Sequence, residues 1–356
     1  MPTMTRPRCS GVSTQLEALL ALCRDRTPTS PEFHEFNNFY GHATVLKRYA
    51  ALSETRPLKV AIEHGYAFQD GVHATDLNTL APVFLCSSSR RARVFESKVR
   101  GRVRAIPIGP LICYAGSAVN EPRSSAARLV AFPAHSTHRI NAKFDHQTFI
   151  QRITRLGRSF DETLVCLYWR DVLRGTARPY LEAGLRCVSA GHIFDPLFLP
   201  RLRRIISAAS VVYTNRVGTQ VIYAVTLDRL AWVEDMPVSH TAREGTDLRA
   251  QVLEDPVLPI FDQIAQAFPV GTTTLSPSQR SLIADFSGAD SVRSAVELRA
   301  ILDDAERDYR ASATLRHRLG DLRRSARYVS SRSRATFTSA FEQARRAVRE
   351  RASRTR

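Results

Sequence analysis

Four short polar clusters stand out in this chain of 356 residues, each directly after an apolar run. They are Glu63-His64-Gly65-Tyr66 after LKVAI, His135-Ser136-Thr137-His138 after RLVAFP, Gly191-His192 with Asp195-Pro196 after RCVSA, and Thr214-Asn215-Arg216-Val217-Gly218-Thr219-Gln220 after SVVY. Histidine titrates near neutral pH, so His64 is the candidate general base. Glu63 beside it is placed to raise its basicity or fix its tautomer. His135, Ser136, Thr137, Gly191 and His192 suit phosphate or ribose better than proton transfer. Asp195 reads equally well as the cap of a helix starting at Pro196.

The fourth cluster has the clearest physics. Thr214 and Asn215 are good capping residues, and VGTQVIYAVTL after them reads as a helix with an apolar stripe. Gly218 allows close approach to the backbone, and Thr219 offers a hydroxyl in the first turn. Exposed N–H groups at a helix start suit a phosphate or diphosphate. Plain helix capping, and a structurally satisfied His64, are the bland alternatives. Further upstream, Tyr40, Gly41 and His42 precede a helical stretch and are expected to reach the same place.

Several signatures are absent from the sequence: G-x-x-x-x-G-K-S/T, G-x-G-x-x-G, H-E-x-x-H, G-x-S-x-G, Asp-x-Asp and Cys-x-x-Cys. Without Asp-x-Asp, the common carboxylate pair that clamps a nucleotide-bound metal is missing. No metal site and no cofactor are therefore expected. Cys86, Cys113, Cys166 and Cys187 lie in apolar runs and read as reduced core thiols.

The elements that must position these clusters are legible. Strand-type runs occur at 58–63, 82–86, 104–108, 128–133, 163–169, 186–190, 210–214 and 230–234. They are nearly continuous apolar stretches, as expected for strands covered on both faces. Helical stretches at 90–98, 146–158, 196–208 and 217–227 separate many of them. The result is a βαβ pattern and an α/β fold with parallel sheets. In such sheets ligands bind at the carboxyl ends of the strands, where all four clusters fall.

Residues 108–125 (IGPLICYAGSAVNEPRSS) break the pattern and read as a linker. The expected organisation is a first half over 1–118, a second, nucleotide-binding half over 126–265, and a helical, arginine-rich extension over 270–356. The net charge of +17 belongs mostly to that extension. From 316 to 356 there are thirteen arginines against three acids, or +10, which leaves +7 for the rest. Phe337, Phe341, Ala344 and Val348 form an apolar stripe there, and its basic flanks suit an anionic membrane surface. A helix on the body with a solvated rim, or a disordered end, is the alternative. The segment 90–104 (RRARVFESKVRGRVR) reads either as a solvated helix face or as a contact for an anionic substrate. No apolar run reaches the roughly 20 residues of a membrane span, so a cytoplasmic protein is expected, peripheral at the inner face of the membrane if the tail binds there.

The order of these motifs narrows the field. IEHG in the first half, the IGPLICYA bridge, VAFPAHST, SAGHIFDPLFLPRL and VVYTNRVGTQVIYAVTLDRLAWV together resemble glycosyltransferases of the two-domain GT-B type from bacterial capsule and surface-polysaccharide clusters. More remotely they are similar to CDP-glycerol glycerophosphotransferases and to capsular polysialyl- and Kdo-transferases. The resemblance covers roughly residues 36–235. It implies two Rossmann-like domains facing a cleft, a nucleotide sugar as donor substrate and a saccharide or lipid-linked acceptor. By the same resemblance, His64-Gly65 matches the family's catalytic His-Gly pair. Thr214, Asn215 and Thr219 match its Ser/Thr loop, and His135 or His192 its second-domain histidine. The sequence departs in having His-Ser and His-Ile where relatives have His-Pro, and Thr-Asn where they have Ser-Asp or Ser-Ser. A polyol-phosphate transferase, a nucleotide-sugar epimerase and a non-catalytic partner subunit share the architecture. A basic nucleic-acid-binding protein is the rival from another class, but no nucleic-acid-binding motif is present and no specific nucleic acid is expected.

Overall fold

The computed structural model describes residues 8–68, 70–99, 101, 103–116, 126–137, 140–242 and 259–312. Two parallel sheets organise the chain. The first has three strands, β1 (Val60–Ile62), β2 (Val83–Cys86) and β3 (Arg104–Pro107), in that order. The second draws on β4 (Arg128–Phe132), β6 (Glu162–Cys166), β7 (Arg186–Val188), β8 (Val211–Thr214) and β9 (Leu230–Val233). Its strand order is β7-β6-β4-β8-β9, parallel throughout. All eight expected strands are present, slightly shorter than the apolar runs that announce them. Their buried faces explain the runs: β1, β2 and β8 are buried at every position.

A third, two-stranded antiparallel sheet pairs β5 (Ile140–Lys143) with β10 (Ser239–Ala242). The sequence did not announce it, because INAK and SHTA carry no apolar alternation.

Order β7-β6-β4-β8-β9 winds outward from β4 in both directions, so the chain reverses between β4 and β8. At such a switch point the loops after the two central strands diverge and leave a crevice. Those loops hold Pro133–Thr137 and Asn215–Gly218.

The helices cross between the sheets. The helix Arg8–Cys23 packs on the second sheet, where Leu19 and Cys23 join a core with Leu129, Val165 and Tyr213. The helix Pro277–Ser287 packs against the helices Thr219–Thr226 and Ser89–Val99, and the helix Ala295–Ser312 returns to the first sheet. There Tyr309 meets the Phe33 ring edge-on at 4.8 Å, and Arg56 binds Asp303 at 2.8 Å. The segment expected as a linker is core where it is described: Ile108, Ile112 and Tyr114 are buried. They belong to one apolar cluster that runs from Val60 and Leu85 to Val130 and Val212. Cys86, Cys166 and Cys187 are buried free thiols as expected, Cys113 is half-buried, and Cys23 is buried too.

Candidate active site

A cavity of about 290 Å³ opens between the carboxyl ends of the two sheets. His64 enters it from the loop after β1, His135 and Thr137 from the loop after β4, and Thr219 from the first turn of the helix Thr219–Thr226. Four of the expected site residues thus share one crevice, and it lies at the β4/β8 switch point.

His64 is held by rings. Tyr40 stacks on it with centroids 5.5 Å apart and planes 5° apart; Phe39 meets it edge-on at 5.0 Å and Phe36 lies 4.9 Å away. Tyr40 has a left-handed backbone (φ 55°) that is unusual for a non-glycine residue. Its amide donates to the Ile193 carbonyl at 2.5 Å, and its hydroxyl lies 3.3 Å from that of Tyr168. Both contacts reach the second sheet's loops, so the ring that sets His64's plane is fixed across the cleft. Burial holds the Tyr40 phenol well above its ordinary pKa, and it stays protonated.

Glu63 does not serve His64 as expected. One of its carboxylate oxygens pairs with Arg91 Nε, and the other accepts from the Ser87 amide (3.1 Å) and hydroxyl (3.3 Å). Burial pushes its pKa up, while Arg91 and Ser87 pull it down. Arg91 also donates to the Gly71 carbonyl at 2.6 Å, and Arg90 binds Asp70 at 3.0 Å. The basic segment at 90–104 therefore begins by clamping the loop that carries His64.

The second sheet's clusters divide. His135 packs on Tyr168 at 4.5 Å and faces the cavity. Ser136 is buried and turned away: its amide donates to Asp171 at 3.1 Å and its hydroxyl accepts from the Ala142 amide. Thr214 and Asn215 are fully buried. Thr214 Oγ1 lies 2.8 Å from the Phe132 carbonyl and accepts from Gln220 Nε2 at 3.0 Å; Asn215 Oδ1 accepts from the Ala134 amide at 2.7 Å. They brace the switch-point loops and do not cap the helix. The cap residue is Gly218, which offers no side chain to the first-turn N–H groups.

Gly191 and His192 lie outside the cavity. The space beside Gly191 is filled by the Arg201 guanidinium and the Asp195 carboxylate. His192 is buried against Trp169 at 4.1 Å, its Nδ1 accepts from the Phe194 amide, and burial lowers its pKa to about 4. Asp195 does not cap a helix at Pro196 as expected: the helix starts at Phe198 behind Leu197, with no side-chain cap. Asp195 Oδ1 instead accepts from the Leu197 amide in the preceding turn, and Oδ2 pairs with Arg201 and Arg26. His138 and the arginine-rich 316–356 lie outside the described residues.

Much of the remaining wall is aromatic, from Tyr40, Tyr66, Tyr168, Tyr223 and Phe198, with Leu167, Leu199 and Leu202 beside them and His42 and Gln220 between. Tyr40 and His42 reach the cleft as expected. Tyr66 adjoins His64-Gly65 in sequence and was within reach of the same signal. Tyr168 and Tyr223 were hidden inside apolar runs, where a tyrosine reads as core. Among the described residues, no group of three or more His, Cys, Asp or Glu gathers as a metal site.

No protein-family model matches the chain, and no curated protein matches it. Among solved structures it is similar to the GtfA/B complex, at 12% identity and a TM-score of 0.31, over 74% of this chain and 55% of that one. It is similar to UGT89C1 of Arabidopsis thaliana at 14% identity and a TM-score of 0.27, over 79% and 63%. The spinosyn rhamnosyltransferase SpnG, complexed with spinosyn aglycone, gives 12% and 0.28, over 83% and 78%. The chain spans less than two thirds of the first two. At these scores the likeness assigns no residue and no substrate.

Proposed function

We propose that this chain is a glycosyltransferase. It moves a sugar from a nucleotide-activated donor to a hydroxyl of a saccharide or lipid-linked acceptor, in the building of a cell-surface polysaccharide or glycolipid. One observation carries this reading: His64 on the first sheet and the uncapped start of the Thr219–Thr226 helix on the second face a single cavity. A base and an anion cradle on opposite walls are what glycosyl transfer from a nucleotide needs.

In this mechanism the donor phosphates lie at Thr219, where helix N–H groups and the threonine hydroxyl accept the charge that develops as the glycosidic bond breaks. His135 and Thr137 flank the nucleotide. The acceptor hydroxyl enters from the His64 side. The His64 imidazole takes its proton as the acceptor oxygen bonds the anomeric carbon, and the nucleotide leaves with the bonding pair. Pre-arranged dipoles do this work in our reading without a metal. Tyr40 keeps the His64 ring in the plane that the transfer requires.

His64→Ala is expected to abolish transfer and leave nucleotide binding intact, as read by product formation and by calorimetry. Retained transfer would remove His64 from the mechanism. A thermal-shift series with CMP, CDP, UDP and GDP is expected to single out one nucleotide, and Thr219→Val to weaken that shift. Flotation with anionic liposomes, with and without residues 316–356, tests whether the basic tail brings the chain to a membrane. Equal flotation by the shortened chain would defeat that part.

A further inference from the structure

Beside the main cleft lies a small second cavity of about 20 Å³. His42, Gly65, Tyr66 and Tyr223 line both. The small one is floored by Glu63 and closed by Leu85 and Ile108. Its volume matches one oxygen-sized occupant, since a buried water needs roughly 10–15 Å³ and two or more polar partners.

Two such partners are present. His42 Nδ1 and Tyr66 Oη are both shielded from solvent, with no hydrogen-bond partner among the described residues. His42 is only 2% exposed. Leaving a buried polar atom unpaired is costly enough that native proteins rarely do it. These two atoms come from separate elements, the helix His42–Tyr49 and the loop after β1.

Their hydrogen-bonding characters are complementary. The Phe36 carbonyl favours an N–H on the His42 imidazole. Since Nδ1 has no partner among the described residues, that proton belongs on the other ring nitrogen and Nδ1 keeps a lone pair. Burial, with His64 nearby, holds the ring neutral by lowering its pKa to about 3. The Tyr66 phenol is kept protonated by burial, with Tyr223, Cys113 and Glu63 adding to the effect, so it donates. An acceptor nitrogen and a donor hydroxyl on two residues that line one small space call for a group that both gives and takes a hydrogen bond.

We propose that His42 Nδ1 and Tyr66 Oη together hold one hydroxyl oxygen beside Glu63, supplied by water or by a saccharide hydroxyl reaching down from the adjoining cleft. That oxygen donates to Nδ1 and accepts from the phenol. Only the choice of a saccharide as one source rests on the glycosyl-transfer reading; the site itself does not. In either case the oxygen ties the His64-Gly65-Tyr66 loop to the helix that follows Gly41, so His42 and Tyr66 act as positioning residues, and with a sugar they also select the acceptor.

Crystals of the full chain, grown without polyols and then soaked in methyl glucoside, read this directly. Oxygen density within about 3 Å of both atoms is expected. Water in both crystals assigns the source to solvent, and a glucoside hydroxyl in the soaked crystal assigns it to saccharide. Ordered side chains with no oxygen between them in either crystal would overturn the proposal. Tyr66→Phe keeps the ring and removes the donor. It is expected to empty the site and, where the source is saccharide, to weaken methyl glucoside binding about tenfold. An oxygen unmoved in that variant would sink Tyr66's part. Retained transfer in His64→Ala, or no thermal shift with any nucleotide, would defeat the transfer reading and leave this density unaffected, so the two readings fall separately.

Discussion

Single histidines in this molecule stand in opposite surroundings. His64 stands half-buried at a cavity wall, whereas His192 is sealed against Trp169 with its pKa held near 4 by burial. A folded-state pKa below the ordinary 6.5 means the unfolded chain takes up protons that the fold refuses. Stability from His192 is therefore complete above about pH 6.5 and declines as pH falls toward about 4. His42 and His34, lowered to about 3 and about 4 mainly by burial, act in the same sense. Asp76, raised to about 8, acts in reverse: its contribution is complete below its ordinary pKa of 3.8 and is lost as pH rises through about 8. The test is therefore a difference of slopes. Urea unfolding of His192→Phe and its parent at about pH 7 and about pH 5 should show the variant losing on the order of 1 kcal/mol less on acidification. Parallel losses would mean that His192 is not held neutral. Sequence could place a histidine after a strand but could not tell these environments apart. The difference lies in Trp169, Tyr40 and Phe36, which reach their histidines only through the fold. Glu63 illustrates the same limit: next to His64 in the chain, it is claimed by Arg91, 28 residues on.

Elements obey a simpler rule: an apolar run long enough to be covered on both faces announced a strand each time. What escaped was short or polar, as with β5 and β10, or marked by no periodic stripe, as with the helices Trp169–Leu173 and Ala177–Glu182. Element ends carry their own constraint. The helix Pro277–Ser287 opens with a capping box from Ser276 and Gln279 and closes at Gly288 in the left-handed region (φ 61°). A Cβ at Gly288 would lie 2.1 Å from the Ser87 carbonyl oxygen. Gly175, also left-handed (φ 84°), faces open space. Gly288→Ala should therefore cost about 3 kcal/mol or more and Gly175→Ala about 1 kcal/mol, compared by denaturant midpoint. Equal losses would show that backbone conformation alone governs both sites and that the approach to Ser87 yields freely.

At the scale of the whole molecule, three of the four polar clusters converged on one cavity because strand polarity is a global property. Parallel strands must all present their carboxyl ends to one side. Which helix lies on which sheet had no such signature, since it is set by contacts across most of the chain. Leu298, Leu302 and Ala305 are buried in the core shared by both sheets, and Tyr309 beside Phe33 on the first. A chain ended before about residue 270 should accordingly be rapidly proteolysed, with cuts falling in the first sheet. A protease-resistant fragment of that length would show that the returning helices are dispensable. The +10 carried beyond residue 315 could not disclose this, because a count of charges does not say which core a helix covers.

The crossing of the terminal helices sets a schedule. On the ribosome, β1 to β3 emerge first, yet the helix that covers them with Tyr309 is made some two hundred residues later. At roughly 5–20 residues per second that is a wait on the order of ten to forty seconds. Throughout it Val60, Val83 and Phe84 have no finished cover. This makes the nascent first sheet a client for whatever shields apolar surface during translation.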